Sequence, residues 1–228
     1  MMNKINVAID GPAGAGKSTV AKAVAARLQY MYIDTGAMYR ALTWKALNTR
    51  TNVKEESKLV ELLANTSIIM DKYGQGNVYA DNDNVTEAIR SEAVTANVSD
   101  VAMHPQVRKQ MVLQQRQLAA ENGAVLDGRD IGTVVLPNAE LKIFLQASVE
   151  IRASRRHQEH LDNGLPSDLE FIKKDIERRD KIDSSREASP LLKAEDAVEI
   201  DSSNKSIAEV TDIICRIAEE RIQSHDHI

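Results

Sequence analysis

Eight residues from Gly11 to Ser18, GPAGAGKS, satisfy the spacing G-x-x-x-x-G-K-[ST]. This spacing suits a polyphosphate. Gly11, Gly14 and Gly16 let the backbone turn its N–H groups inward, making a concavity of donors at the positive end of the helix that follows. Lys17 then reaches the β- and γ-phosphates, and the Ser18 hydroxyl is placed to bind Mg²⁺. Two further segments, DTGAMYR (34–40) and LDGRD (126–130), set Arg40 and Arg129 beside short polar residues. A third, from Arg152 to Arg186, also carries Arg155, Arg156, Arg178 and Arg179, six of the fifteen arginines in the chain. Arginine forks onto phosphate oxygens bidentately, so a phosphate clamp is expected of this set. Some members can instead belong to a solvated helical face paired with Glu150, Glu159, Asp175 and Glu177.

An arginine-rich site without an evident general base fits one kind of phosphoryl transfer. A nucleoside monophosphate has a second pKa near ~6, is mostly dianionic at neutral pH, and is already a nucleophile. The obstacle is repulsion between two phosphate groups and the charge spread over the transferred group, which Lys17, the arginines and Mg²⁺ would neutralise. A hydroxyl acceptor would instead call for a positioned carboxylate to take its proton.

Positioning these segments calls for an α/β fold. Five apolar runs read as parallel strands, at 5–10, 30–33, 124–127, 141–145 and 197–201. Helical patterns separate most of them. The first helix spans 18–29, with Val20, Val24 and Leu28 on one face. Ligands of such sheets bind beyond the carboxyl ends of the strands, so DTGAMYR and LDGRD are expected to face the glycine-rich loop. Pro105 marks a helix start, capping boxes are expected at Ser167–Glu170 and Ser206–Glu209, and Gly123 and Gly164 fall at helix ends. Between the second and third strands the pattern predicts helices near 36–49 and 55–65. An antiparallel hairpin follows, from 67–71 and 77–85 with a turn at 74–77.

The chain has 228 residues, 43% hydrophobic and 28% charged, enough for one good-sized core. Aromatic residues are only 4%, so aliphatic side chains and Met must build that core. A net charge of −5 and the lack of a basic run with interleaved aromatics exclude a nucleic-acid partner. The single cysteine, Cys215, fits a reducing cytosol and reads as a buried, inert thiol. With no apolar signal core or long apolar run, a cytoplasmic protein with no membrane partner is expected. The tail SHDHI (224–228) reads as a frayed terminus.

Over essentially its full length the chain resembles the bacterial cytidylate kinases, P-loop nucleoside monophosphate kinases. The resemblance rests on IDGPAGAGKST (9–19), DTGAMYRAL (34–42), DGRDIGTVVLP (127–137), LKIFLQAS (141–148) and SREASPL (185–191). It implies a P-loop kinase with a five-stranded parallel sheet flanked by helices. Residues 1–35 and 105–228 would form the core, 36–104 an inserted NMP-binding lobe with an extended hairpin, and about 152–168 a short lid. It implies action on ATP, with Mg²⁺, and on CMP or dCMP; a monomer is expected.

Gly11, Pro12, Ala13, Gly14, Ala15, Gly16, Lys17, Ser18 and Thr19 would hold the donor, with Arg156 and Arg152 contributed by the lid. Ser18 would bind the metal. Ser99, Arg108 and Asp130 would read cytosine, whose N4 amino group needs acceptors and whose N3 and O2 need a donor. Thr35, Arg40, Arg129 and Arg186 would hold the monophosphate, and Arg179 and Asp183 the pentose. Lys17, Arg129 and Arg186 are the residues expected to carry catalysis.

The rival readings are a kinase for another small acceptor, such as UMP or a sugar acid, and a nucleotide-dependent switch. A guanine-specific switch would need N-K-x-D, but Asn204-Lys205-Ser206-Ile207 lacks the Asp. Asp71-Lys72-Tyr73-Gly74 spells D-x-x-G only inside the hairpin.

Overall fold

A computed structural model describes residues 4–71, 76–120 and 123–225. Its central strand, β1 (Val7–Asp10), is buried at all four residues. An apolar run between two covered faces takes this place in a parallel sheet. β2 (Met31–Asp34), β6 (Ala124–Gly128), β7 (Leu141–Gln146) and β8 (Val198–Asp201) complete a sheet of order β2-β6-β1-β7-β8, parallel throughout. These are the five strands expected from the sequence. Register decides the function of the carboxyl edge: Asp10 pairs with Gly128, and Asp34 with Asp127. Residues far apart in the chain therefore meet at one rim.

Helices cover both faces. α1 (Lys17–Leu28) and α8 (Ile207–His225) bury Val20, Val24, Val210, Ile214 and Cys215 against Ile9, Leu141 and Ile143. On the other face, Met38 and Leu42 of α2 (Thr35–Asn48) join Leu59 and Leu63 of α3 (Glu56–Ala64). Val101 of α4 (Glu92–Ala102), Val107 and Met111 of α5 (Pro105–Ala119) pack with them on Ile33 and Leu126. Each large aliphatic side chain so buried contributes about 1.5–3 kcal/mol. Beyond β7, α6 (Val149–Asp162) and α7 (Leu169–Ser185) form a hairpin closed by Val149, Ala153, Ile172 and Ile176.

The inserted sheet differs from a single hairpin. β3 (Ile68–Met70) pairs with β4 (Val78–Ala80), but the run 77–85 then breaks. Asp81 and Asn82 take φ of 52° and 75°, and a third strand, β5 (Asp83–Asn84), folds back onto β4. Consecutive positive φ values make the tight turn whose twist suits antiparallel strands, and Asp and Asn tolerate them. The turn expected at 74–77, and the D-x-x-G string, lie largely outside the described residues. Val78, Ala80, Val85 and Ile89 cluster with Ala37 and Ala41 of α2, and half-buried Trp44 packs against them.

Helix ends follow the sequence with two exceptions. Pro105 opens α5, and Ser206 and Glu209 form a reciprocal capping box. Gly164, at φ 68°, follows the last residue capping α6. Ser167, however, does not cap α7. Asp168 does, its carboxylate accepting from Phe171 N, while the Ser167 hydroxyl bonds His157 Nδ1. Asp at the N-cap brings a full negative charge to the positive helix end, an advantage the neutral Ser lacks. α5 ends at Ala119 with Ala120 as its cap, so Gly123 leads into β6 instead of capping the helix. The helix α8 includes Ser224, and the last three residues of the tail lie outside the described residues.

Candidate active site

The glycine-rich loop leaves β1 where β7 crowds it. A Cβ on Gly11 would stand 2.0 Å from the Leu145 carbonyl oxygen, so glycine is obligatory there. Gly16, at φ 88°, makes the left-handed turn that starts α1. The outward carbonyls of the loop are tied down: Lys17 Nζ donates to Pro12 O at 2.7 Å, Arg152 Nη1 to Ala13 O at 2.9 Å, and Ser202 Oγ to Ala15 O at 3.2 Å. Ser18 and Thr19 are exposed on the first turn of α1. Burial and the nearby Arg129 charge hold the Lys17 ammonium well below the usual lysine range. Phosphate oxygens would reverse both effects.

Beside the loop, Ser18 Oγ donates to Asp127 Oδ2 at 2.7 Å, and Tyr32 Oη to Asp127 Oδ1 at 2.8 Å. Thr35 Oγ1 donates to the Asp127 carbonyl at 2.7 Å. Burial, then the Asp34 charge, pushes the Asp127 carboxyl up to about 7. A hydroxyl and a carboxylate in contact at a phosphate loop are the donor set that holds Mg²⁺ in P-loop enzymes. Among the described residues no group of three or more His, Cys, Asp or Glu could hold a metal. A cation here would therefore complete its shell with phosphate and water oxygens, as Mg²⁺ does. Asp127 is not among the candidates the sequence singles out. Its place inside LDGRD is visible there, but its contact with Ser18 depends on β6 lying next to β1.

Asp10 organises the same rim. Its two oxygens accept from Ile131 N and Gly132 N at 2.8 and 2.7 Å, fixing the turn that carries Asp130. Burial raises its carboxyl to about 6 against those two hydrogen bonds.

The far wall is a network of opposed charges. Arg108 Nη2 meets Asp130 Oδ2 at 2.5 Å, with both side chains almost wholly buried. Arg108 also donates to Ala102 O and lies 5.3 Å over the Tyr39 ring. Ser99 is buried on α4. Arg129 Nε donates to Asp183 Oδ2 at 2.8 Å. Arg186 donates to Ser189 O and stands 3.7 and 3.8 Å from Asp183 and Asp130. Arg40 donates to Ile89 O and Thr95 Oγ1.

Positive charge exceeds what these acids neutralise. Burial, then the charges of Arg156, Arg129 and Arg40, lowers Arg179 to about 9, and burial lowers Arg40 to about 10. Arg179 Nε and Nη1, Arg186 Nη2, Arg108 Nε and Tyr39 Oη are buried with no hydrogen-bond partner among the described residues. Buried guanidinium N–H groups without acceptors are costly, and an anion among them would remove that cost.

The fold thus gathers Lys17, Thr35, Arg40, Arg108, Arg129, Asp130, Arg179, Asp183 and Arg186 around one rim. Arg156 is held only loosely, 3.9 Å from Asp175. Three of the six clustered arginines point elsewhere: Arg152 to the loop backbone, Arg155 to Ser202, and Arg178 to Asp175 at the surface.

A phosphate loop at the carboxyl rim of this sheet, with a buried cluster of arginines beside it, defines a P-loop kinase. The chain belongs to the cytidylate kinase family, whose model matches residues 7–220. It is 60% identical to the cytidylate kinase of Geobacillus sp. (strain WCH70), over 97% of this chain and all of that one. It is 53% identical to the cytidylate kinase of Bacillus subtilis (strain 168), over 97% and 99% of the two chains. The fold is shared with an uncharacterized protein from Eubacterium ventriosum, with a TM-score of 0.51 at 12% identity, over 96% of this chain and 99% of that one. No helix among the described residues is long and apolar enough to cross a membrane.

Proposed function

We propose that the protein transfers the γ-phosphoryl of ATP to CMP or dCMP, giving ADP and CDP or dCDP. The observation that carries this reading is the buried, acceptor-less Arg179 set among Arg40, Arg129 and Arg156, with Arg129 also close enough to act on Lys17. Such a cluster suits a phosphate on each side of a transfer. The glycine-rich loop would hold the donor phosphates, and Lys17 would follow the γ-phosphoryl. Mg²⁺ held at Ser18 and Asp127 would neutralise charge on the β- and γ-oxygens.

Thr35, Arg40, Arg129 and Arg186 would receive the acceptor phosphate. Arg179 and Asp183 would hold the pentose. Asp130 and Ser99 can accept from the cytosine amino group, while Arg108 donates to N3 or O2. Uracil reverses the pattern at N3 and C4 and would leave these buried groups unpaired. Closure of the lobe 36–104 and the lid 152–168 would keep water from the γ-phosphoryl until the acceptor is seated. All these residues come from one chain, so the reading needs no second subunit.

A coupled ADP-release assay across CMP, dCMP, UMP, AMP and dTMP tests the proposal. CMP and dCMP should exceed UMP in kcat/KM by at least ~100-fold, as expected where buried polar groups lose their partners. Equal values for UMP and CMP would overturn the roles of Ser99, Arg108 and Asp130.

A further inference from the structure

Arg152 lies in the segment expected to clamp phosphate, yet every one of its guanidinium nitrogens is committed to the protein. Nε donates to Ala147 O at 2.9 Å, Nη1 to Ala13 O at 2.9 Å, and Nη2 pairs with Asp180 Oδ2 at 2.7 Å. The side chain is 5% exposed. Its stem presses on the loop as well, for a Cβ on Gly14 would stand 3.2 Å from Arg152 Cβ.

Two consequences follow from this geometry. A trans peptide sets its C=O and N–H on opposite sides, so anchoring the Ala13 carbonyl also aims the Gly14 N–H. That amide belongs to the donor concavity. At the other end, Asp180 follows Arg179, the cation without an acceptor, and precedes by one turn Asp183, which holds Arg129. One side chain thus spans from the donor loop to the turn of α7 that serves the acceptor.

We propose that Arg152 is a positioning residue, not a phosphate ligand. It fixes the Ala13–Gly14 peptide and ties it through Asp180 to α7, so the donor and acceptor halves are set by a common strut. This rests on the kinase reading above. Arg156, with its single long contact to Asp175, is the arginine of α6 left to meet phosphate.

The test is calorimetric titration of the full-length protein and its Arg152→Lys, Asp180→Asn and doubly substituted forms. ADP, ATP and CMP are titrated separately with Mg²⁺ present, and thermal melts establish that each form is folded. A strut predicts that both single changes weaken ADP and ATP alike, by about tenfold, and weaken CMP in the same direction. The double variant should be no worse than the poorer single one, because the two residues act as a unit. Loss confined to ATP, with ADP spared, would make Arg152 a γ-phosphate ligand and overturn the proposal. So would tighter nucleotide binding by Asp180→Asn, the result expected if a released guanidinium turned to phosphate, or unaltered CMP affinity. Failure of the kinase reading would appear separately, as wild-type protein that does not bind CMP.

Discussion

Replacing Asp130 by Ala separates the structural and the recognition roles of the buried wall. The carboxylate holds Arg108 at 2.5 Å, with side-chain exposures of 7% and 4%, and has Arg186 at 3.8 Å. Without it Arg108 keeps only the Ala102 carbonyl as an acceptor, since its Nε already has none among the described residues. Removing one partner of a buried pair costs about 3–5 kcal/mol, because the surviving charge stays desolvated. For a chain of this size each kcal/mol moves the melting temperature by about 2–4 °C, so the nucleotide-free protein should melt roughly 6–20 °C lower. Changing Arg108 to Met together with Asp130 to Ala removes both charges and should recover at least half of the loss, as apolar replacement of buried pairs often does. Scanning calorimetry of the wild type, the Asp130→Ala and Arg108→Met single variants and the double variant provides the measurement. A single variant melting within about 2 °C of wild type, or a double variant showing the sum of the single losses, would refute a buried, mutually dependent pair. In kcat/KM the same Asp130→Ala change should reduce discrimination between CMP and UMP by about 10–100-fold, the worth of one good base contact.

Asp10 predicts a pH dependence. Its carboxyl is raised from 3.8 to about 6 in the fold, so its stabilising contribution is complete below pH 3.8 and is lost as the pH rises through 6. At ~1.4 kcal/mol per pH unit, Asp10→Asn should gain up to about 3 kcal/mol relative to wild type between pH 4 and pH 8 in urea titrations. A difference that is flat with pH would refute the shift. Arg129→Lys should keep the ion pair to Asp183, and hence the melting temperature, while kcat falls by about 100-fold or more; near-normal turnover would exclude Arg129 from the phosphoryl site. Asp127→Asn should raise the Mg²⁺ concentration for half-maximal rate by about 10–100-fold with little change in the KM for CMP. An unchanged Mg²⁺ requirement would remove Asp127 from the metal site.

Much of this was legible from local pattern. Strands and helices announce themselves through periodicity, and the glycine-rich loop through spacing, because both depend on neighbours in sequence. Asp127 illustrates what is not legible. Its meeting with Ser18 and Tyr32 depends on which strands lie side by side, a property of register. The clustered arginines make the same point from the other direction. Composition marks the segment, yet only packing sends Arg152 into the loop backbone and leaves Arg179 without an acceptor. The run 77–85 misleads as a single strand because Asp81 and Asn82 inside it take positive φ values and turn the chain back. At Ser167 the match to a capping box is real, but the adjacent Asp168 is the stronger partner for the helix end.

Trp44 stands one turn beyond Arg40 on α2, against the inserted sheet, and is the only tryptophan in the chain. The protein therefore carries its own optical label on the arm assigned to the acceptor, with no competing indole near the donor loop. Intrinsic emission followed during separate ADP and CMP titrations would register the movement of one arm by itself, without a dye or a substitution. The order in which the two halves of the site respond becomes a matter of colour and intensity, readable in real time by stopped flow.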